Sequence, residues 1–146
     1  MLRTALKLEK WILEKCLGRQ VSKCRFHYLK FALPYGYDRL EQFGFTDDYS
    51  MAYSDMAGYR AGTSRSFTFY NIEKEKETKL TIHPLIVMDK TLRLDMKLDV
   101  ESAYKYIDSL KKECNAIGGD FTTLFHNQNV TDLNGWGEWG ERFFKK

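Results

Sequence analysis

The side chains that could carry chemistry in this chain are few, and His126 is the best placed of them. It closes the run Gly118-Gly119-Asp120-Phe121-Thr122-Thr123-Leu124-Phe125-His126-Asn127, an apolar strand that leads straight into an imidazole and an amide. α/β proteins place their chemistry at the carboxyl ends of strands, and imidazole is the side chain that ordinarily titrates near neutral pH. A lone histidine after a strand is also commonly a structural hydrogen-bonder, so its neighbours decide its role. Arg25 and His27 lie two residues apart in the strand-like run Val21 to Leu29, a spacing that puts a guanidinium and an imidazole on one face. Such a pair suits the binding or orienting of a carboxylate, because arginine presents a rigid fork of donors; the alternative is a surface strand with two exposed polar residues. Arg60, in Gly58-Tyr59-Arg60-Ala61-Gly62-Thr63, is flanked by glycines that either let the backbone approach a ligand or make an ordinary turn.

Paired ligands for a metal are missing. None of His27, His83 and His126 stands four residues from another, and Cys16, Cys24 and Cys114 include no C-x-x-C pair, so no self-contained metal centre is expected. Asp47 and Asp48 could together hold a metal and a base, but adjacent strand residues point to opposite faces and at most one of them faces a site. Asn129-Val130-Thr131 matches a glycosylation acceptor, and Gly135-Trp136-Gly137-Glu138-Trp139-Gly140 matches a glycine-rich loop. Without a secretory signal the first carries no weight, and the tryptophans make the second a packing element.

The elements that must position these residues alternate along the chain. Residues 2 to 17 read as a helix, with Leu2, Leu6, Leu13 and Leu17 near one face and Gly18 as its stop. Val21 to Phe31 reads as a strand, Pro34 to Phe43 as a short helix ended by Gly44, and Phe45 to Met51 as another strand. Ala57 to Tyr70 is rich in Gly, Ser and Thr without a clean period and reads as a long loop or an irregular strand. Leu80 to Asp89 is a β-rich run in which Pro84 marks a bulge or an edge. Val100, Ala103, Tyr104, Ile107, Leu110, Cys114 and Ile117 then recur at helical spacing, with Asp99 as cap and Gly118-Gly119 as stop. After the strand to His126, Trp136, Trp139, Phe143 and Phe144 form a short aromatic helix. About four strands alternating with helices predict an α/β fold of mostly parallel strands in a single domain over residues 1–146, with no internal repeat or linker.

Composition narrows the class. With 146 residues, 43% of them hydrophobic and 15% aromatic, the chain has enough apolar surface for one ordinary core. The 23 basic and 20 acidic residues leave +3, interspersed as in Glu73-Lys74-Glu75-Lys76-Glu77, which reads as a solvated loop and argues against a nucleic-acid binder. Three cysteines in helix- or strand-like runs read as reduced core thiols. No apolar run approaches the roughly 20 residues needed to cross a bilayer, and Met1-Leu2-Arg3 opens an amphipathic helix, so a cytoplasmic location is expected.

Taken in order, Arg25-Phe26-His27-Tyr28-Leu29, Asp48-Tyr49-Ser50-Met51, Gly58-Tyr59-Arg60-Ala61-Gly62-Thr63, Phe67-Thr68-Phe69-Tyr70, Met88-Asp89-Lys90-Thr91-Leu92 and Leu124-Phe125-His126-Asn127 resemble the carboxyl half of polysaccharide deacetylase-like proteins, the NodB-homology group. The resemblance implies a distorted (β/α) barrel that removes N- or O-acetyl groups from sugar polymers with a divalent metal such as zinc. In that family the metal-binding aspartate and histidines come from a Thr-Phe-Asp-Asp-like and a His-x-x-x-His-like motif of the amino-terminal half, and this chain is expected to begin after both. Phe45-Thr46-Asp47-Asp48 has an altered order and no paired histidines follow it, so it does not serve as the first motif.

Carried over singly, Arg25 matches the arginine that orients the base, and His126 matches the general acid of the final motif. Asp48 falls near the variable fourth motif, while His27, Tyr49, Arg60 and Asn127 line the substrate cleft. These residues are then expected to converge at the carboxyl rim of one parallel sheet. A partial barrel implies a chain that is inactive alone and holds no cofactor of its own. It also implies a carbohydrate polymer as ligand and either a homodimer or a complex with a separately made amino-terminal half. The alternative is a non-catalytic carbohydrate- or protein-binding module that uses Tyr28, Tyr49, Tyr59 and Phe69 as stacking platforms.

Overall fold

The computed structural model describes residues 2–132 and 135–144, in which helices and strands form two compact units. The first comprises Met1–Ser50 with Phe67–His83, and the second Met51–Ser66 with Pro84–Lys146. In the first unit helix α1 (Leu2–Leu17) stops at Gly18, whose φ of +64° is a conformation glycine adopts without strain. Strand β1 (Lys23–Cys24), helix α2 (Tyr35–Gln42) and strand β2 (Asp47–Asp48) follow, and then the hairpin β3 (Phe67–Asn71) and β4 (Lys76–Ile82).

The sheet order is β1-β2-β4-β3, parallel from β1 to β4 with β3 antiparallel on the far side of β4. Thr78, Leu80 and Ile82 alternate inward along β4, as a strand with one buried face requires. They meet Tyr37 and Leu40 of α2, both fully buried, and the Tyr37 ring packs between Phe31 (4.9 Å) and the edge of Phe69 (4.8 Å). The charged hairpin turn is ordered by Asn71, whose side-chain carbonyl accepts the Lys74 N–H, while its amide donates to Asp38 of α2 at 2.7 Å.

The second unit pairs β5 (Val87–Met88) with β6 (Thr123–Leu124) in parallel, Met88 opposite Leu124. Between them runs α3 (Val100–Ala116), capped by Asp99, whose carboxylate accepts the Ser102 N–H at 2.9 Å. Helix α4 (Gly137–Phe144) completes the unit, and Trp136 and Trp139 join Ile86, Val87, Leu92 and Ala103 in its core. A π-turn over Thr91–Asp95 leads out of β5 and buries Leu92.

The structure departs from the sequence expectations at definite points. The strand expected over Val21 to Phe31 shrinks to Lys23–Cys24, because Tyr28 and Leu29 take left-handed φ values (58° and 53°) and fold His27–Leu29 into a 3-10 turn. Arg25 and His27 therefore do not share a strand face. Strict alternation fails in the middle of the chain, where no α-helix separates β2 from β4 and the antiparallel hairpin intervenes. Pro84 splits the β-rich run in two, so that β4 ends at Ile82 and β5 joins a separate two-stranded sheet. What the chain forms is a mixed, parallel-rich α/β arrangement of open sheets; no closed sheet occurs among the described residues.

Of the three cysteines only Cys114 is buried, while Cys24 is half-buried and Cys16 exposed, so the reading of three core thiols is corrected. Leu13 and Leu17 of α1 are exposed rather than packed, and the side chains of Leu2 and Phe144 lie outside the described residues. No helix is long and apolar enough to cross a membrane among the residues described. Both units also follow one order, a long helix, a glycine at φ near +64°, a two-residue strand, a 3-10 turn and a short helix. In unit 1 these are α1, Gly18, β1, His27–Leu29 and α2, and in unit 2 α3, Gly118, β6, Asn127–Val130 and α4.

Candidate functional site

In the second unit the parallel pairing of β5 with β6 sets their carboxyl ends side by side, Asp89 one residue past Met88 and His126 two residues past Leu124. The Asp89 side chain is buried and its carboxylate is saturated with donors. Oδ2 accepts the His126 main-chain N–H at 2.8 Å and the Asn129 amide at 2.9 Å. Oδ1 accepts the Lys90 N–H at 2.7 Å and lies 2.7 Å from His126 Nδ1. The 3-10 turn after His126 is what returns Asn129 to the carboxylate, closed by the Asn129 N–H on the His126 carbonyl at 2.9 Å.

A carboxylate offers only acceptors, so the His126 ring donates from Nδ1 and leaves Nε2 as its other polar atom. The His126 side chain keeps 31% of its surface in solvent. An imidazole oriented through Nδ1 by a buried carboxylate, with part of its ring in solvent, has the layout of a positioned acid–base group. Phe125, the residue before it, lines a cleft of about 280 Å³ with Tyr104, Ile107, Phe121 and Phe143.

The first unit holds a second acid–histidine contact, Asp47 Oδ1 at 2.7 Å from His83 Nε2, with the Tyr49 ring stacked on the imidazole at 4.4 Å and 7°. The Thr46 hydroxyl, and after it His83, hold the Asp47 carboxyl below its usual range. Asp48 points the other way, into the interior, where Ser50 donates its N–H (2.9 Å) and its hydroxyl (2.7 Å). Burial pushes the Asp48 carboxyl up, with the Ser50 bonds opposing the shift. Burial likewise pushes the Cys24 thiol up to about 12, with the charge of Asp48 adding to it.

The residues singled out from the sequence fall in both units. Arg25, His27, Asp48 and Tyr49 belong to the first, and Arg60, His126 and Asn127 to the second. Arg25 is exposed just past β1, and the exposed His27 lies against Tyr28 with ring centroids 4.2 Å apart. Asp48 is locked in the interior, while Tyr49 sits beside His83. Arg60 is exposed in the turn between Gly58 and Gly62, and Asn127 spends its side-chain carbonyl on the Gln128 N–H at 3.0 Å. Asp89, Asn129 and His83 were not among the candidates; the signal for Asp89 is its place directly after the apolar run Leu85 to Met88.

Two imidazoles each face one carboxylate, and no group of three or more potential ligands forms among the described residues. No protein-family model matches the chain, and no curated protein or solved structure matches it at a significant level.

Proposed function

We propose that this chain is the histidine-bearing part of a polysaccharide deacetylase-like protein, a portion of a (β/α) barrel in which His126 is the general acid and Asp89 its positioning partner. The observation that carries the reading is the Asp89–His126 contact, in which one carboxylate grips both the ring and the main chain of the histidine at a paired strand end. When an acetyl group is hydrolysed from a sugar, the departing amine or alkoxide needs a proton. His126 Nε2 delivers it, and Asp89 balances the positive charge that the ring carries beforehand. The divalent metal of the family belongs to motifs this chain lacks, so the chain alone releases no acetate. Its partner is then a second copy or a separately made amino-terminal half.

The test follows the His126 ring by NMR while acetylated and fully deacetylated chitin and xylan oligosaccharides are added. A His126 ring shift with an acetylated oligomer and none with its deacetylated counterpart supports the reading. Equal response to both, or none to either, overturns it.

One observation favours a second reading, a non-catalytic carbohydrate-binding module. Tyr28 leaves 72% of its surface in solvent from a left-handed backbone position, with His27 tilted against its ring, and an aromatic ring so exposed can stack on a sugar face. Sugar binding that is lost in Tyr28→Ala and indifferent to acetylation selects that module.

A further inference from the structure

Helix α1 turns its polar side toward its own unit. Glu14 accepts the Val21 N–H at 2.9 Å and pairs with Lys10, and the Lys10 ammonium lies over the Phe45 ring at 5.3 Å. Leu8, Trp11 and Ile12 are meanwhile 53%, 55% and 47% exposed. At about 100° per residue, Leu8 and Ile12 project from the side of the helix opposite Lys10 and Glu14. The inward hydrogen bonds fix this orientation, so the outward apolar stripe is a surface in its own right.

Two clefts flank the helix. One, of about 380 Å³, is lined by Lys7, Lys10, Trp11, Glu14, Gln42 and Phe43. The other, of about 390 Å³, combines Leu6, Phe26, Phe31 and Tyr35 with Lys30 and Arg39. Both clefts lie toward the packed side of the helix, while the exposed Lys7 and Lys15 stand on either side of Trp11 and edge the outward apolar stripe with cations. Charge points the same way: residues 1–20 hold five of the 23 basic and two of the 20 acidic residues, so their excess equals the whole net charge of +3.

We propose that this face docks an acidic amphipathic helix of a separate polypeptide, its apolar stripe on Leu8, Trp11 and Ile12 and its carboxylates toward Lys7 and Lys15, the exposed lysines on either side of Trp11. A second copy of the chain would bring the same excess of lysine and arginine against itself, which disfavours self-pairing. A bilayer is disfavoured by Glu9, which falls between Ile12 and Leu13 around the helix and would be pressed into the apolar layer. A protein helix can meet that carboxylate with a donor.

Trp11 reports the test. The chain has three tryptophans, and Trp136 and Trp139 are buried, so a blue shift of the emission on docking belongs to Trp11. Two synthetic helical peptides with identical leucine spacing, one flanked by Glu and one by Lys, are titrated into the full chain at low salt. The Glu-flanked peptide is expected to shift the emission and saturate, and the Lys-flanked one to bind at least about tenfold more weakly. The exposed pair Lys7→Glu and Lys15→Glu should reverse that order, and Trp11→Phe should abolish the signal. Equal binding of the two peptides, binding of neither, a shift produced only by phosphatidylserine vesicles, or a shift that grows with the concentration of the chain alone would each overturn the proposal.

Discussion

Asp89 holds His126 at two points, the main-chain N–H at 2.8 Å and the ring Nδ1 at 2.7 Å, so one side chain fixes both the turn and the imidazole that emerges from it. Removing the carboxylate should therefore cost more than removing the ring. Asp89→Ala strands two main-chain donors, the Asn129 amide and Nδ1–H, a loss of about 3–5 kcal/mol. His126→Ala leaves the main-chain bond intact and should cost about 1–2 kcal/mol. Urea unfolding of both variants checks the order, and equal costs would show that Asp89 does not organise the turn.

The carboxyl of Asp48 is raised by burial, so it binds a proton more readily folded than unfolded. Its contribution to stability is fully present below the ordinary value of 3.8 and is lost as pH rises through the raised folded value. Asp48→Asn removes that loss. Relative to the native chain, the variant should gain stability between acid and neutral pH, as measured by urea midpoints at several pH values. A gain that shrinks with rising pH would refute the direction.

Gly119 is required by contact, since a Cβ there would fall 1.8 Å from the Ser64 hydroxyl and 3.2 Å from Cys114 Sγ. Gly119→Ala should destabilise by about 1–3 kcal/mol, the usual cost of overpacking. Ser64→Gly in the same chain should restore part of the loss. Thermal unfolding of the single and double variants provides the measurement, and strictly additive losses would place the strain elsewhere.

Thiol chemistry should separate the cysteines. Cys16 is exposed, Cys114 is buried, and the Cys24 thiol is pushed up to about 12, far from its thiolate at pH 8. A disulfide-exchange reagent should therefore modify one thiol per native chain quickly and all three after unfolding. The fast equivalent should vanish in Cys16→Ser.

Helix α3 is legible because three independent signals agree, the cap at Asp99, the apolar period and the stop at Gly118. The opposite sides taken by Asp47 and Asp48 follow from strand geometry alone. The hairpin strand β3 is legible only as one of two alternatives, a loop or an irregular strand, since a bulge between Thr68 and Tyr70 breaks its alternation and its one fully buried residue is the polar Asn71. Nothing local marks the left-handed Tyr28 and Leu29, where no glycine or asparagine stands. The missed partner of His126 lies 37 residues away, and only the pairing of two-residue strands brings it near. Local pattern cannot specify a meeting of that kind, nor can it expose the shared order of the two units.

The backbone passes between the two units three times, after Ser50, Ser66 and His83, so neither unit is one uninterrupted stretch of polypeptide. A protease nick within residues 51–66 consequently releases no fragment that is a whole unit. A chain ended by a stop codon after His83 would hold every residue of the first unit while carrying sixteen residues of the second as an unfinished loop. During synthesis the first unit reaches completion only after that loop has been made, and the loop waits for the strand that ends at Leu124 and the helix beyond it.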